Sequence, residues 1–349
     1  MLKLGMVLGL VLVSCGAGCP SGWAQDAAAA GPLVRFNVEV TDKAGHPVTG
    51  LQQSDFTVLD GGKPTTIASF TAHAIAAAAP AAEAHEESIM LVIDDIDMDF
   101  LSMGFERTQI ENALRANGGH LSAPVSISIM TESGLQPIVD GSADGNHVAD
   151  ELHAWQAHLQ KLPSEAEWGR QERWLVVMDA LHKILSYEEG RSGRKLVIWI
   201  SPGWPMFVGT GLEMTDKQMH WYMDLIVDTS NRMREAETTM EVADPAGAGN
   251  MYESVWKAYT KPVKKWDKAA PGNVGLQVLA LQSGGQVAFS SNGLTGELLQ
   301  CMSDGTAWYS LAIPQQPGEK GNLFRDVQVK VNQPGLTVRT GNGYYVGTP

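Results

Sequence analysis

Cysteine is scarce in this chain. Its 349 residues include only Cys15, Cys19 and Cys301, and the first two lie close to the N-terminus. If the N-terminal segment is removed, the remaining cysteine has no partner within the chain. The fold must then be held by its core rather than by disulfides. Cys301 sits in the run Leu298-Leu299-Gln300-Cys301-Met302 and reads as a buried small apolar side chain. Positive charge is also short: 25 Lys and Arg face 39 Asp and Glu, a net charge of −14. That balance argues against a nucleic-acid partner or an anionic-membrane surface. Familiar catalytic signatures are missing as well. The sequence has no Gly-x-Ser-x-Gly elbow and no Walker loop, and Gly247-Ala248-Gly249 lacks the preceding strand and third glycine of a dinucleotide loop. His147, His153 and His158 share one expected helix but not one face, so they read as surface or capping histidines rather than zinc ligands.

What is present begins with an export pattern. Lys3 is followed by the apolar run Leu4 to Val13, which has signal-peptide size and is too short to span a bilayer. Residues 1–24 are expected to form a signal peptide. Gly22-Trp23-Ala24 offers small residues for cleavage before Gln25, which gives soluble release. Leu12-Val13-Ser14-Cys15 offers a competing lipobox-type reading, with a lipid on Cys15. Beyond this segment no run reaches transmembrane length. The composition, 44% apolar and 18% charged, is that of a globular protein with room for one large domain or two modest ones.

After a flexible lead-in (25–32), residues 33–70 read as a small β unit. Val34 to Val40 alternates apolar and polar residues, Phe56 to Leu59 is a second strand, and Asp60-Gly61-Gly62-Lys63 turns into a strand at Thr66 to Phe70. So few strands are marginal alone and must pack on something else. Residues 71–88, Ala-rich around Pro80, read as a linker. From 89 to 304 strands and helices alternate. The expected strands are 89–93, 125–130, 195–200, 239–242 and 286–289, and the expected helices are 105–117, 147–162, 174–187, 217–237 and 273–282. This order implies a mostly parallel sheet covered on both faces. Residues 244–271 carry Tyr252, Trp256, Tyr259 and Trp266 and form an irregular, partly helical insertion. These aromatics are weighted towards core over interface, and Met206, Met214, Met219 and Trp221 add apolar surface nearby. The tail returns to β at 308–313, 326–331 and 337–340.

Two stretches carry a resemblance. One is Val38-Glu39-Val40-Thr41-Asp42 with Gly45, Pro47-Val48, Gly50-Leu51, Asp55-Phe56, Val58 and Asp60-Gly61. The other runs through Leu279-Ala280, Gly284-Gly285, Asp304, Trp308-Tyr309-Ser310-Leu311, Gln333-Pro334-Gly335-Leu336-Thr337-Val338-Arg339 and Gly343-Tyr344. Together they resemble the VWFA-related family of acidobacterial type, which is von Willebrand factor A-like. The resemblance implies a Rossmann-like A domain, an α/β fold with a central, mostly parallel sheet. It also implies that the N- and C-terminal strands, 33–70 and 305–349, pair as a small sandwich-like unit outside that sheet.

The resemblance also implies where to look for a metal. A domains hold a divalent cation through Asp-x-Ser-x-Ser after the first strand, with a Thr and an Asp from other loops. Hard cations need such oxygen ligands. Asp94 matches the first position and Thr131 the distal Thr, but Ile96 and Met98 stand at the serine positions and Pro202 replaces the late Asp. The candidate metal residues are therefore Asp94, Asp97 and Thr131, a degenerate set. Mg²⁺ or Ca²⁺ is the only cofactor the pattern admits, and solvated loop carboxylates are the favoured reading. Asp95, Asp97, Asp99 and Glu106 also fall at EF-hand spacing, although Phe100 replaces the needed glycine and a strand precedes the run. The favoured function is an exported, periplasmic or secreted module of adhesion type that binds an unidentified envelope or extracellular protein without the usual metal and without catalysis. It touches a membrane only through a lipid anchor, if at all. An extracytoplasmic enzyme or enzyme accessory and a structural envelope protein are the alternatives.

Overall fold

The long apolar runs of the middle of the chain become the buried centre of a sheet, and the alternating runs at its two ends become a sandwich. The computed structural model describes residues 32–74, 87–96, 100–155, 167–204, 214–245, 253–289, 293–303, 306–318 and 323–346. The expected signal peptide (1–24), the expected lead-in up to residue 31, Cys15, Cys19, Asp97, Asp99 and residues 75–86 of the expected linker lie outside them, as do Tyr252 and Met206 of the aromatic region. In chain order the first strands are β1 (Leu33–Thr41), β2 (Phe56–Asp60), β3 (Lys63–Thr65) and β4 (Ser69–Ala74). The α/β lobe follows with β5 (Glu87–Asp94), α1 (Phe100–Leu114), β6 (His120–Thr131), β7 (Gly134–Asp144), α2 (Gly145–Ala154), α3 (Glu167–Glu189), β8 (Arg194–Ile200), α4 (Asp216–Glu235), β9 (Thr238–Asp244), α5 (Glu253–Lys257), α6 (Leu276–Ser283), β10 (Val287–Phe289) and α7 (Leu294–Ser303). The last strands are β11 (Ala307–Pro314), β12 (Phe324–Val331), β13 (Thr337–Thr340) and β14 (Gly343–Tyr345).

Six strands in the order β10-β9-β8-β5-β6-β7 make the central sheet, parallel except for the antiparallel edge strand β7. Both faces are covered. Ile89, Leu91 and Ile93 of β5 and Leu196, Ile198 and Ile200 of β8 pack with α1, α2 and α7, while Met90, Val92, Val197 and Trp199 pack with α3, α4 and α6. Period-two alternation between two buried faces is why these strands read as continuous apolar runs. Each fully buried Leu, Ile or Val here contributes about 1.5–3 kcal/mol. The order makes this a Rossmann-like α/β fold with a central, mostly parallel sheet and its strand reversal between β5 and β8.

The strands flanking it form two four-stranded antiparallel sheets, β13-β1-β11-β4 and β14-β12-β2-β3. Each mixes early and late strands, with β1 on β11 and β13, and β2 on β12. Val34, Phe36, Val38 and Val40 meet Phe56, Val58, Leu311, Ile313 and Val327 in one core. Buried Tyr309 closes it, donating to the Val48 carbonyl (2.8 Å) and accepting from the Leu51 amide (3.2 Å).

Several local expectations are corrected. The partner of β2 across the turn is Lys63–Thr65 rather than Thr66 to Phe70, and Ser69–Ala74 pairs instead with β11 in the other sheet. Residues 71–74 therefore belong to a strand and not to the linker, and 87–88 already belong to β5. Alanines carry little strand signal, and the pairing with β11 supplies the order. The helix expected over 147–162 ends at Ala154, where Trp155 turns extended. Strands β7 and β14 and helix α7 were not expected at all. Pro137 and an exposed face hide the edge strand β7.

The lobes are joined by buried charge. The Arg194 guanidinium, at the start of β8, binds Glu39 of β1 and Glu87 of β5 (3.0 Å), and stacks 5.5 Å from the Trp308 ring centre. Arg339 of β13 bridges Glu39 (2.6 Å) and Glu241 of β9 (3.3 Å). Arg194, Glu39, Glu87 and Glu241 are all buried. Gly284 adds a backbone contact between the lobes, and Gly285 one within the α/β lobe. Gly284 caps α6 at φ +95°, and a Cβ there would lie 2.5 Å from the Thr340 carbonyl carbon, while a Cβ on Gly285 would run into the Met240 carbonyl.

Removing the cation from this network strands buried carboxylates. Arg194→Met is expected to cost about 3–5 kcal/mol of stability. Replacing Arg194, Glu39 and Glu87 together by apolar residues of similar volume should recover much of that loss. Urea unfolding of the three proteins checks both outcomes.

Candidate functional site

In an open α/β sheet, ligands sit beyond the carboxyl ends of the strands where the strand order reverses. Here that point lies between β5 and β8. Asp94 ends β5 and Ser201 follows β8, and the two meet: the Ser201 hydroxyl donates to Asp94 Oδ2 at 2.8 Å. The Ile96 amide donates to Asp94 Oδ1 (3.0 Å), and the Gly203 amide donates to Ser201 Oγ (3.1 Å). Asp94 and Ser201 are completely buried. Gln277 of α6 donates to the Pro202 carbonyl (3.2 Å), which fixes the Ser-Pro-Gly corner against the helix. Both oxygens of the Asp94 carboxylate are thus engaged by the chain's own donors.

Of the other candidate residues, Thr131 makes its hydrogen bonds within its own hairpin. Thr131 closes the β6–β7 turn, donating to the Gly134 carbonyl (2.9 Å) and accepting from Gln136 (3.3 Å). Its hydroxyl is used locally, within the hairpin. Asp97 lies outside the described residues. Among the described residues, no group of three or more His, Cys, Asp or Glu is placed to hold a metal ion. The EF-hand spacing does not correspond to an EF-hand loop. Helix α1 begins at Phe100, so Glu106 is a buried helical residue rather than the end of a loop.

Two carboxylates that the sequence reading missed lie along the same edge. Asp244 ends β9, next to β8 in the sheet, and Glu297 lies in the first turn of α7. Both are buried, and neither Glu297 carboxylate oxygen has a hydrogen-bond partner. Burial, with the Asp244 charge added, pushes the Glu297 carboxyl up to about 7. A proton on Glu297 therefore relieves two buried charges that would repel each other. The signal for Asp244 was present as the end of an expected strand, but its partner lies on a helix that the pattern did not reveal.

The aromatic region divides between core and surface. Trp256 and Val263 are buried, Val263 in the core beside α4. Trp266 is 38% exposed and stacks on His220 at 4.0 Å, and Trp221 is 48% exposed with its ring edge against Trp174 (5.9 Å).

No protein-family profile matches the chain, and no curated protein matches it. Solved structures that resemble it do so at low identity. An aerotolerance-related membrane protein from Bacteroides fragilis NCTC 9343 is 9% identical, over 63% of this chain and 98% of that one, with a TM-score of 0.34. The human COPII-coat protein Sec24c is 10% identical, over 74% of this chain and 43% of its own, with a TM-score of 0.36. The SpRpn10 VWA domain is 13% identical, over 45% and 74%, with a TM-score of 0.23. The fold assignment rests on the strand order itself. Among the described residues no helix is long and apolar enough to cross a membrane.

The Glu297 proton has a measurable consequence. With its pKa raised in the folded state, folding takes up a proton between the ordinary carboxyl value near 4.5 and about 7. Stability from this group is intact below 4.5, falls as pH rises through that window, and is fully reduced above 7. Glu297→Gln should flatten that part of the profile and stabilise the protein above pH 7 by up to about 3 kcal/mol, with little change at pH 4.5. Urea unfolding of both proteins across pH 4.5–8 checks this.

Proposed function

We propose that this chain is an exported binding module of von Willebrand factor A type that engages a protein partner without a metal ion and without catalysis. The observation that carries the reading is the corner at the strand reversal. Asp94 and Ser201 stand where such sheets receive ligands, yet they are bonded to each other and to backbone amides rather than held open for a cation. A hydroxyl that donates to a buried carboxylate and accepts from an amide is a structural strut. Recognition then falls to the shape of the rim and its side chains, an inference that also leans on fold-level analogy. The partner belongs to the envelope or the extracellular space, because the N-terminal run reads as an export signal. Membrane association, if any, comes through a lipid on Cys15.

Two measurements test this. Millimolar Mg²⁺ or Ca²⁺ should leave the melting temperature unchanged. A rise of about 2 °C or more that Asp94→Asn abolishes would restore a metal site. In pull-downs from envelope extract, a partner should be retained in EDTA and released by Glu132→Arg, a substitution in the half-buried β6–β7 turn at the same end of the sheet as Asp94. Loss of the partner in EDTA removes the metal-free part of the reading, and no retained partner removes the binding role. Mass spectrometry of the exported protein should find an N-terminus at Gln25, and a diacylated Cys15 would replace soluble release with anchoring.

A further inference from the structure

The opposite edge of the central sheet, where it meets the sandwich, carries a different kind of recess. A cleft of about 400 Å³ opens between the lobes. Thr71 of β4 and Arg35 of β1 line it from the sandwich, and Arg191 and Lys195 line it from the entry to β8, with Glu237 before β9. Arg35 and Glu237 also line a neighbouring cavity of about 60 Å³ that reaches Arg234 of α4. In a chain with a net charge of −14, this junction gathers four cationic side chains.

Their engagements leave donors to spare. The Arg35 guanidinium makes no hydrogen bond or ion pair among the described residues, and neither do the hydroxyls of Ser69, Thr71 and Ser192 in the same cleft. Lys195 is buried and spends one proton on the Arg191 carbonyl (2.6 Å). Arg191 rests on the Tyr187 ring, 3.7 Å from Glu188. Arg234 is held by Glu235 (3.1 Å) and Asn231 (3.4 Å), but its Nε is buried with no partner. Glu188 lies beside Arg191 and Lys195, Glu235 holds Arg234, and Glu237 shares the cleft, so four cations face three carboxylates and the Arg35 guanidinium has no ion pair among the described residues. Guanidinium and hydroxyl groups lining one recess suit the oxygens of a carboxylate or phosphate, which accept such bonds in pairs. The volume is in the range of small-ligand sites, and junctions between lobes are common places for them.

We propose that this inter-lobe cleft binds a small oxyanion-bearing ligand of sugar-acid or sugar-phosphate size, with Arg35 as the anchoring cation and the Thr71 and Ser192 hydroxyls as further donors. The site is separate from the Asp94 corner and stands whether or not that corner binds a protein.

Isothermal titration at fixed ionic strength tests it with D-glucuronate, glucose 6-phosphate and, as the uncharged control, glucose. Glucuronate or the phosphate should bind saturably and glucose should not, and the stronger of the two identifies carboxylate or phosphate as the natural group. Arg35→Ala should weaken binding about tenfold or more, the scale of one charge-assisted hydrogen bond. Arg35→Glu should abolish it. Arg35 is exposed, so both variants should keep the wild-type melting temperature. If either fails to fold, Ser192→Trp, which fills the cleft from an exposed turn, gives an independent readout and should also abolish binding. Absence of saturable binding by both anions, equal binding by glucose, or unchanged binding in the Arg35→Glu or Ser192→Trp protein overturns the proposal.

Discussion

Arg194 is the point at which the two lobes become one structure. Its guanidinium reaches a carboxylate on its own sheet and another on the sandwich, while Arg339 reaches back from the sandwich to Glu241. None of these groups is tolerable alone in a buried setting, since an isolated buried charge costs several kcal/mol. Satisfying them requires β1, β5, β8, β9 and β13 to arrive in one arrangement. The network therefore sets orientation more than it adds stability, because apolar packing of the same volume would serve stability as well. The cleft around Arg35 and the cavity near Arg234 exist because the lobes are held in that relation.

How much of this was legible in the sequence depends on how many faces of an element are buried. Strands β5 and β8, buried on both sides, announce themselves as apolar runs. Strand β1 was readable as a strand, but its polar phase, Arg35, Asn37 and Glu39, looked like a solvent face. In fact Glu39 is buried against the α/β lobe, and Asn37 donates to the Glu237 carbonyl (3.3 Å). No periodicity separates a polar residue facing water from one facing a buried arginine. Edge strand β7 and helix α7 were hidden for local reasons, Pro137 in the first and the glycines at 293 and 296 around the second. The Gly284-Gly285 pair was visible as part of a family-like motif. Its physical cause, close backbone approach to Thr340 and Met240, needed the fold.

The candidate site shows the same division. Asp94 could be placed at the end of a strand, and the strand order then put it beside Ser201. The bond between them could not be read, because a serine before Pro-Gly looks like turn chemistry. In this corner Pro202 stands where the family pattern has a carboxylate, which lowers the local negative charge. The remaining Asp94 charge is met by a hydroxyl and an amide. Asp244 and Glu297 move the unbalanced acidity one strand further along, to a place where a proton suffices.

The interleaving of early and late strands also governs how the molecule is built. Asn37 and Ser310, bonded across β1 and β11, are 273 residues apart. Strand β1 emerges from a ribosome before the α/β lobe, yet both of its sheet neighbours come after the whole of that lobe. Contacts so distant along the chain form slowly, since the intervening loop must be closed first. The α/β lobe, whose neighbours lie much closer in sequence, can take shape in the meantime, and the sandwich closes over it last. Until then β1 exposes an unpaired edge with an apolar face, the kind of surface that holding chaperones recognise.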